Sequence, residues 1–237
     1  MFKTVKQNKA YQDVVEQIQE AIMEGTLKPG SQLPAERELK EQFGISRGTL
    51  REALRVLEQK GLIEIRTGVA GGSIIREVNS ENLSDNLGLL IRNRAVSLRD
   101  LAQFREGMEG GVAALAAQRA TEQDRALLAG LLREAEGHLK NGRKGWDAFV
   151  RTDEQIHLAL ARMSGNQLFI AVLTSVYHNI HTYYENYLPW NKELLQENFN
   201  DLCNIVAAVS DRDAERARET ALGHVRRFNG YMEEKQA

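Results

Sequence analysis

Residues 34–76 contain two helix patterns followed by a hairpin pattern, and this order restricts the possible folds more than any other part of the chain. The first helix is predicted to start at Pro34 and end at Gly44, because proline suits a helix start and glycine tolerates the left-handed conformation of a helix end. Ser46 is expected to cap the second helix, whose apolar residues recur at intervals of three and four until Gly61. Two helices joined by so short a turn predict a helix-turn-helix.

After Gly61 the hydrophobic period changes from helical to alternating, and this change predicts a two-stranded hairpin. Apolar and charged residues alternate over 62–66, three glycines within 68–72 supply the turn, and an apolar return strand follows at 73–75. Such a hairpin can place its tip against a phosphate or in the minor groove, where close backbone approach favours glycine. The three elements together predict a winged helix-turn-helix that binds DNA. The alternative is a small helical core with an incidental hairpin.

The polar side of the second helix carries arginine and threonine side chains, concentrated in its first two turns, where a recognition helix presents side chains to the major groove. These residues are Arg47, Thr49, Arg51 and Arg55. Arginine can bond two acceptors of one guanine, and threonine can contact a thymine methyl or a phosphate. Basic residues only slightly outnumber acidic ones through Arg76, so we expect binding to depend on two copies acting together.

The remainder of the chain predicts helices alone. The fold class expected is therefore mostly α, with a winged helix-turn-helix domain over 1–78 and an all-α antiparallel helical bundle over 79–237. Ser97 and Thr121 each begin a capping-box pattern. Helices are predicted at about 98–119, 122–140, 146–163, 167–187, 192–210 and 213–234. The chain contains no apolar run long enough for a bilayer and a single Cys203, and these features predict a cytoplasmic protein with no membrane partner.

A possible metal site is indicated within the bundle. Asp153 and His157 lie four residues apart, hence on one helix face, and His224 lies on the last helix. One carboxylate with two imidazoles suits Zn²⁺, Ni²⁺ or Mn²⁺, and facing helices of a bundle are where such ligands meet. On spacing alone, the alternative is a surface Asp–His pair that binds no metal.

The segment PAERELKEQFGISRGTLREALRVLEQKGLIEIRTGVAGGSII resembles the DNA-binding half of the GntR family of bacterial transcription regulators. The resemblance implies a homodimer on a double-stranded DNA operator. It also implies DNA contacts by Arg37, Ser46, Arg47, Thr49, Arg51, Thr67 and Gly68. Thr67 and Val69 depart from the more polar or basic residues that many members carry in the wing.

Residues 98–229 resemble the effector-binding helical domain of the FadR subfamily. Arg105-x-x-x-Glu109 matches one signature of that domain, and Asp153-x-x-x-His157 followed by glycine and asparagine matches another. Many relatives hold a divalent metal through one aspartate and three histidines. Asp153, His157 and His224 match three of these ligand positions.

Leu202 stands where the resemblance places the remaining histidine, and leucine cannot bind a metal. Either the metal has been lost, or another group completes the site. Asn198, one turn before Leu202, and His178 or His181 on the preceding helix are the candidates.

The resemblance also implies a pocket for a small organic acid, with Arg105 at the position that commonly faces the effector. Its guanidinium can pair with a carboxylate. Tyr177 and His181 are expected to line the same pocket. The implied function is a ligand-responsive transcription regulator, not an enzyme, and by family habit a repressor. Two alternatives stay open: a metal sensor without an organic ligand, and a metal-dependent hydrolase, for which the sequence offers no base or nucleophile motif.

Overall fold

The computed structural model describes residues 9–68, 71–77, 87–91, 93, 95–188 and 190–236. The chain divides into two compact units, Met1–Asn82 and Leu83–Ala237. The predicted mostly α fold, with an N-terminal helix-turn-helix and a C-terminal helical domain, is confirmed. Within the described ranges, no helix is both long enough and apolar enough to cross a membrane.

The N-terminal unit consists of three helices and one hairpin. Its elements are α1 (Lys9–Met23), α2 (Glu36–Phe43), α3 (Arg47–Gln59), β1 (Ile63–Arg66) and β2 (Gly72–Ile75). The strands pair antiparallel, with Ile63 opposite Ile75 and Arg66 opposite Gly72. The apolar side of α3 is fully buried, as its period predicts, and it forms the core of this unit against α1 and the hairpin.

The boundaries of the helix-turn-helix follow from its capping residues. Gly44 ends α2 in the left-handed conformation at φ 64°, and the Ser46 hydroxyl accepts a hydrogen bond from the Thr49 backbone N–H at 3.1 Å. Helix α2 starts at Glu36 instead of the predicted Pro34, because Ala35 is still extended at ψ 146°. The turn and the start of α3 are therefore held by local interactions.

The C-terminal unit contains six long helices. They are α4 (Leu98–Arg119), α5 (Glu122–Lys140), α6 (Trp146–Met163), α7 (Gln167–Tyr187), α8 (Lys192–Ser210) and α9 (Ala214–Gln236). A 3₁₀ turn at Gly142–Gly145 precedes α6, and a short helical stretch covers residues 87–91. Ser97 and Thr121 form complete capping boxes, so both helix starts predicted from the sequence are confirmed.

Close packing of α4 against α9 positions the interior of this unit. A Cβ atom at Gly110 would lie 3.1 Å from the Arg218 carbonyl oxygen, so glycine allows the two backbones to approach. Alanines on the buried side of α4 continue this close contact over the following turns. As a result, polar residues of α4, α6, α7, α8 and α9 meet in the centre of the bundle.

Candidate functional site

Helix α3 exposes a cationic surface that suits DNA. The Arg47 and Arg51 side chains are 70% and 52% exposed, and Arg37 on α2 is also exposed. Both recognition-helix arginines lie beside the Glu36 carboxylate, with Nε to Oε2 distances of 3.5 Å for Arg47 and 3.1 Å for Arg51. Glu36 was not identified from the sequence as the partner of these arginines, because this pairing depends on the angle between α2 and α3.

The two hydroxyl residues of the predicted DNA contact are already hydrogen-bonded to each other. The Oγ of Ser46 lies 2.8 Å from the Oγ1 of Thr49, in addition to its bond with the Thr49 backbone. Ser46 therefore has a clear structural role as the cap of α3. The Ser46 side chain is exposed, and that of Thr49 is half-buried.

The hairpin presents a glycine-rich tip. Thr67 and Gly68 are exposed. Gly68 has φ 108°, a backbone conformation that residues other than glycine rarely adopt. A Cβ at Gly71 would lie 2.4 Å from the Arg66 carbonyl oxygen, so the turn also requires glycine there. Val69, where the sequence departs from the family pattern, lies outside the described residues.

The predicted metal residues converge in the centre of the helical unit. Asp153 and His157 come from α6 and His224 from α9, and each is at most 2% exposed. One ligand atom from each lies within 4.8 Å of the others. The Asp153 oxygens lie 4.0 Å from His157 Nε2 and 3.4 Å from His224 Nε2. The surface-pair alternative is thereby excluded, because all three side chains are buried together.

The ligand atoms of this cluster fit a divalent cation. Both carboxylate oxygens of Asp153 and the Nε2 atoms of His157 and His224 are buried without a hydrogen-bond partner among the described residues. Buried polar atoms are normally paired, and unpaired ones that face each other at such distances are typical of metal ligands. One carboxylate and two imidazoles form a donor set suited to first-row metals such as Zn²⁺, Ni²⁺ or Mn²⁺.

Two further carboxylates orient the histidines. His157 Nδ1 donates to Glu109 Oε2, and His224 Nδ1 lies 3.6 Å from Asp201 Oδ2. Asp201 itself accepts from Arg227 Nε at 2.8 Å. A carboxylate on one imidazole nitrogen directs the other nitrogen toward a metal, so both Nε2 atoms face Asp153.

These carboxylates also set the ionisation of the cluster. Burial alone would lower the pKa of His224, but the neighbouring Asp153 and Asp201 outweigh burial and raise this pKa to about 9. Burial would raise the pKa of Glu109, yet Arg105 and His157 hold it far below its usual range. The pKa of Asp153 is likewise lowered, because the two histidines outweigh its burial. The acids are therefore ionised, and a bound cation would replace the proton that the raised pKa keeps on His224.

Arg105 and Tyr177, both predicted to contact the effector, lie in one hydrogen-bonded network. Arg105 is completely buried and donates from Nε to Glu109 Oε1 at 2.6 Å, from Nη2 to the Tyr177 hydroxyl at 2.9 Å, and from Nη1 to the Tyr184 hydroxyl at 3.3 Å. The Tyr177 hydroxyl donates in turn to Glu109 Oε2 at 2.7 Å. Glu109 thus joins this network to the metal ligand His157.

The residues considered at or near the fourth ligand position differ in their burial. Leu202 is fully buried in the apolar core, and His178 is exposed to solvent. His181 belongs to α7, but its side chain lies outside the described residues. Asn198 is only 5% exposed, and both atoms of its amide lack a hydrogen-bond partner among the described residues.

A small cavity adjoins the cluster on the side of α8. It is lined by Glu197, Asn198, Asp201, His224, Arg227, Phe228 and Tyr231. Its volume of about 10 Å³ corresponds to roughly one water molecule. A cation or a water fits there, whereas an organic acid requires side chains to move.

The residues that complete the site differ in how far they can be predicted from the sequence. Glu109 was recognisable as part of a signature, and its spacing of four from Arg105 already suggested a helical ion pair. Tyr184, Asp201 and Arg227 act through partners on other helices. Asp201 and Arg227 are 26 residues apart, and no local pattern joins them.

A winged helix-turn-helix followed by a helical domain with a buried polar centre defines a class of regulator that binds DNA and a ligand. Comparison with protein families agrees. Residues 10–71 match the family described as bacterial regulatory proteins, gntR family, and residues 100–227 match the FCD domain. The chain belongs to the GntR family of bacterial regulators and carries an FCD domain at its C-terminal end.

Curated relatives cover nearly the whole chain. The chain is 32% identical over 221 residues to the HTH-type transcriptional regulator LutR of Bacillus subtilis, which covers 90% of this chain and 98% of LutR. It is 30% identical to the Uxu operon transcriptional regulator of Escherichia coli, over 91% of this chain and 83% of that protein. The Glc operon transcriptional activator of Escherichia coli is also 30% identical, over 90% of this chain and 85% of its own length.

A solved structure supports the fold. Streptococcus agalactiae GntR superposes with a TM-score of 0.69 at 23% identity, over 93% of this chain and 99% of that chain. This similarity concerns the fold alone.

Proposed function

We propose that this protein is a homodimeric transcription regulator of the FadR subfamily, and that a small organic acid bound in the helical domain changes its affinity for an operator. We propose repression as its mode of action, with release of DNA when the acid binds. The observation that carries this proposal is the buried group Asp153, His157 and His224, whose ligand atoms face each other and have no hydrogen-bond partner in the described part of the chain.

The DNA-binding part of the proposal is supported by the exposure and charge of α3. Arg47 and Arg51 project from its first turns and can each bond the O6 and N7 atoms of a guanine. Arg37, Ser46 and Thr49 would contact phosphates near them, and Thr67 and Gly68 of the wing would approach the minor groove. One domain of this size makes few contacts, so two copies on a palindromic operator account for specific binding.

The sensing part is supported by the ionised groups in the helical unit. Asp153, His157 and His224 would hold a divalent cation, while Glu109 and Asp201 keep the two imidazoles in the correct orientation. A bound cation supplies positive charge that attracts the carboxylate of an acid. Arg105 adds a second positive charge close by, and Tyr177 adds a hydroxyl group.

Binding of an acid requires a rearrangement of the side chains around Arg105. The cavity in the site is too small for an acid, and the Arg105 guanidinium is occupied by Glu109, Tyr177 and Tyr184. An acid carboxylate can replace a tyrosine hydroxyl as the partner of Arg105, because a charged acceptor bonds guanidinium more strongly. The helices that carry these side chains would then move, and the acid would favour one conformation of the dimer over the other.

The test combines metal analysis, ligand screening and DNA binding. Protein purified without chelator should contain about one divalent metal per subunit, and a thermal-shift screen of glycolate, lactate, citrate and glucuronate should identify a stabilising acid. An operator selected from random duplex DNA should then lose affinity when that acid is added. His157→Ala should lose the metal and the response to acid while it retains operator binding.

The proposal fails if His157→Ala contains as much metal as the parent and responds to the same acid. It also fails if no duplex is enriched in the selection. The matched control is His178→Ala, which removes an exposed histidine of the same bundle and should change neither metal content nor response.

A metal sensor without an organic ligand is the second candidate function. The size of the cavity favours it, because about 10 Å³ admits an ion or a water and no larger molecule. In this case, Mn²⁺, Ni²⁺ or Zn²⁺ alone should change the operator affinity of the metal-free protein, and no acid in the screen should alter it further.

A further inference from the structure

The proposed metal site of the helical unit has no metal-binding side chain from α8 at position 202, where a histidine was expected. Leu202 is fully buried and offers only apolar atoms. Asp153, His157 and His224 therefore provide three protein ligands, whereas first-row metals take at least four. This inference rests on the metal site of the proposed function, and it asks which side chain of α8 faces the cation.

Asn198 is, with Asp201, one of the two buried polar residues of α8. It lies one turn before Leu202 on the same side of the helix and is 5% exposed. Neither its Oδ1 nor its Nδ2 has a hydrogen-bond partner among the described residues. An unpaired buried amide destabilises a fold, so its presence indicates a partner beyond the side chains that the structure describes, such as a water or an ion.

The position of Asn198 identifies this partner. Asn198 and His224 line the same cavity, which has room for about one water molecule. Asp201 also lines the cavity, but its carboxylate is occupied by Arg227 and faces the Nδ1 atom of His224. Asn198 is thus the polar residue of α8 that still has unused donor and acceptor atoms next to a proposed metal ligand.

We propose that Asn198 replaces the missing histidine, and that its Oδ1 serves the cation held by Asp153, His157 and His224, directly or through one water. An amide oxygen is a harder donor than imidazole. Carbonyl and carboxylate oxygens suit Mn²⁺, whereas additional imidazoles favour Zn²⁺ and Ni²⁺. The exchange of imidazole for amide therefore shifts the preference of this site toward Mn²⁺.

The experiment measures binding of Mn²⁺ and Zn²⁺ alone to the full chain after removal of metal with a chelator. Isothermal titration compares the parent with Asn198→Leu, Asn198→Asp, Asn200→Ala and His157→Ala. Asn198→Leu should lower Mn²⁺ affinity at least about tenfold, whereas Asn198→Asp, which keeps an oxygen donor, should bind as tightly as the parent or more tightly. Asn200→Ala is the matched control, because Asn200 is an exposed asparagine of the same helix.

The stability of the metal-free protein provides an independent readout. Leucine has nearly the shape of asparagine and needs no hydrogen bond, so metal-free Asn198→Leu should melt about 2–4 °C above the parent. If Asn198 had a purely structural role, Asn198→Leu would melt below the parent instead. The double variant Asn198→Leu/Leu202→His should recover Zn²⁺ binding more than Mn²⁺ binding.

Each outcome is decisive. Unchanged Mn²⁺ affinity in Asn198→Leu, together with loss of metal in His157→Ala, would overturn the role of Asn198 and leave the proposed metal site intact. Equal metal binding in the parent, Asn198→Leu and His157→Ala would overturn both. A metal-free Asn198→Leu that melts below the parent would overturn the role of Asn198, because it would show that the amide stabilises the fold without a metal. Loss of Mn²⁺ affinity in Asn198→Asp, which keeps an oxygen donor, would overturn it as well.

Discussion

The two units of the protein contain the same kind of ion pair in opposite environments. In the N-terminal unit, Arg51 Nε lies 3.1 Å from Glu36, and these side chains are 52% and 38% exposed. In the helical unit, Arg105 Nε lies 2.6 Å from Glu109, and these side chains are 0% and 3% exposed. The chemistry of the two pairs is alike, whereas the surroundings differ completely.

The difference explains how each pair can serve its unit. An exposed pair is screened by water and contributes little, so Arg51 can exchange Glu36 for a guanine or a phosphate at a small cost. A buried pair cannot lose one partner without leaving a charge in an apolar interior. Under the proposed function, Arg105 would therefore keep its partners until a ligand supplied a replacement anion. An arginine that exchanges its carboxylate partner at small cost suits DNA recognition. An arginine that exchanges its partner only for another anion suits a sensor.

Removal of one partner from the buried pair should give the largest effect. Glu109→Ala leaves the Arg105 guanidinium uncompensated, so the free energy of unfolding should fall by about 3–5 kcal/mol. Urea unfolding followed by tryptophan fluorescence measures this change, since both tryptophans, Trp146 and Trp190, belong to the helical unit.

The matched control is Glu36→Ala, which should change stability by less than about 1 kcal/mol when unfolding is followed by circular dichroism. Equal losses for Glu36→Ala and Glu109→Ala would show that burial does not distinguish the two pairs.

Loss of a recognition-helix arginine should affect DNA binding and leave folding unchanged. Arg47→Ala or Arg51→Ala should weaken operator binding by about 1–3 kcal/mol per half-site, because bidentate contacts to guanine are lost. Fluorescence anisotropy measures the affinity, and Arg133→Ala, an exposed arginine of α5, serves as the control. Operator affinity equal to that of Arg133→Ala would remove α3 as the reading helix.

An apolar replacement of the whole buried pair should separate stability from sensing. Arg105→Met/Glu109→Leu removes both charges, so most of the stability lost in Glu109→Ala should return. His157 loses the carboxylate that orients it, so metal affinity should drop about 10–100-fold. Parental metal affinity in this double variant would show that Glu109 does not position His157.

Neutralisation of the exposed acid should give the smallest effect. Glu36→Gln frees Arg47 and Arg51 from their partner, and affinity for nonspecific duplex DNA should rise by about two- to fivefold. Titration with a random duplex at two salt concentrations measures it, with Glu38→Gln on the exposed part of α2 as the control. A decrease in affinity would mean that Glu36 itself contacts DNA.

Several parts of the molecule could be predicted because neighbouring residues determine them. Gly44 and Ser46 fix the turn between α2 and α3 through backbone conformation and one hydroxyl, and both appear in the sequence within three residues. The capping boxes at Ser97 and Thr121 likewise act over three residues. The spacing of Asp153 and His157 left a surface pair as the alternative to a buried site with His224, and the family resemblance favoured the buried site. Two helices separated by about 70 residues must meet to create it.

The sequence by itself determined the order of the elements, the helix ends and the cationic side of α3, because these depend on interactions within one or two helical turns. Only the tertiary structure decided which polar groups find partners. It placed Glu109 between Arg105 and His157, paired Asp201 with Arg227, and buried Asn198 without a hydrogen bond to any residue that the structure describes. Pairing inside a protein depends on how helices pack, and no pattern along the chain records the distance between two side chains on different helices.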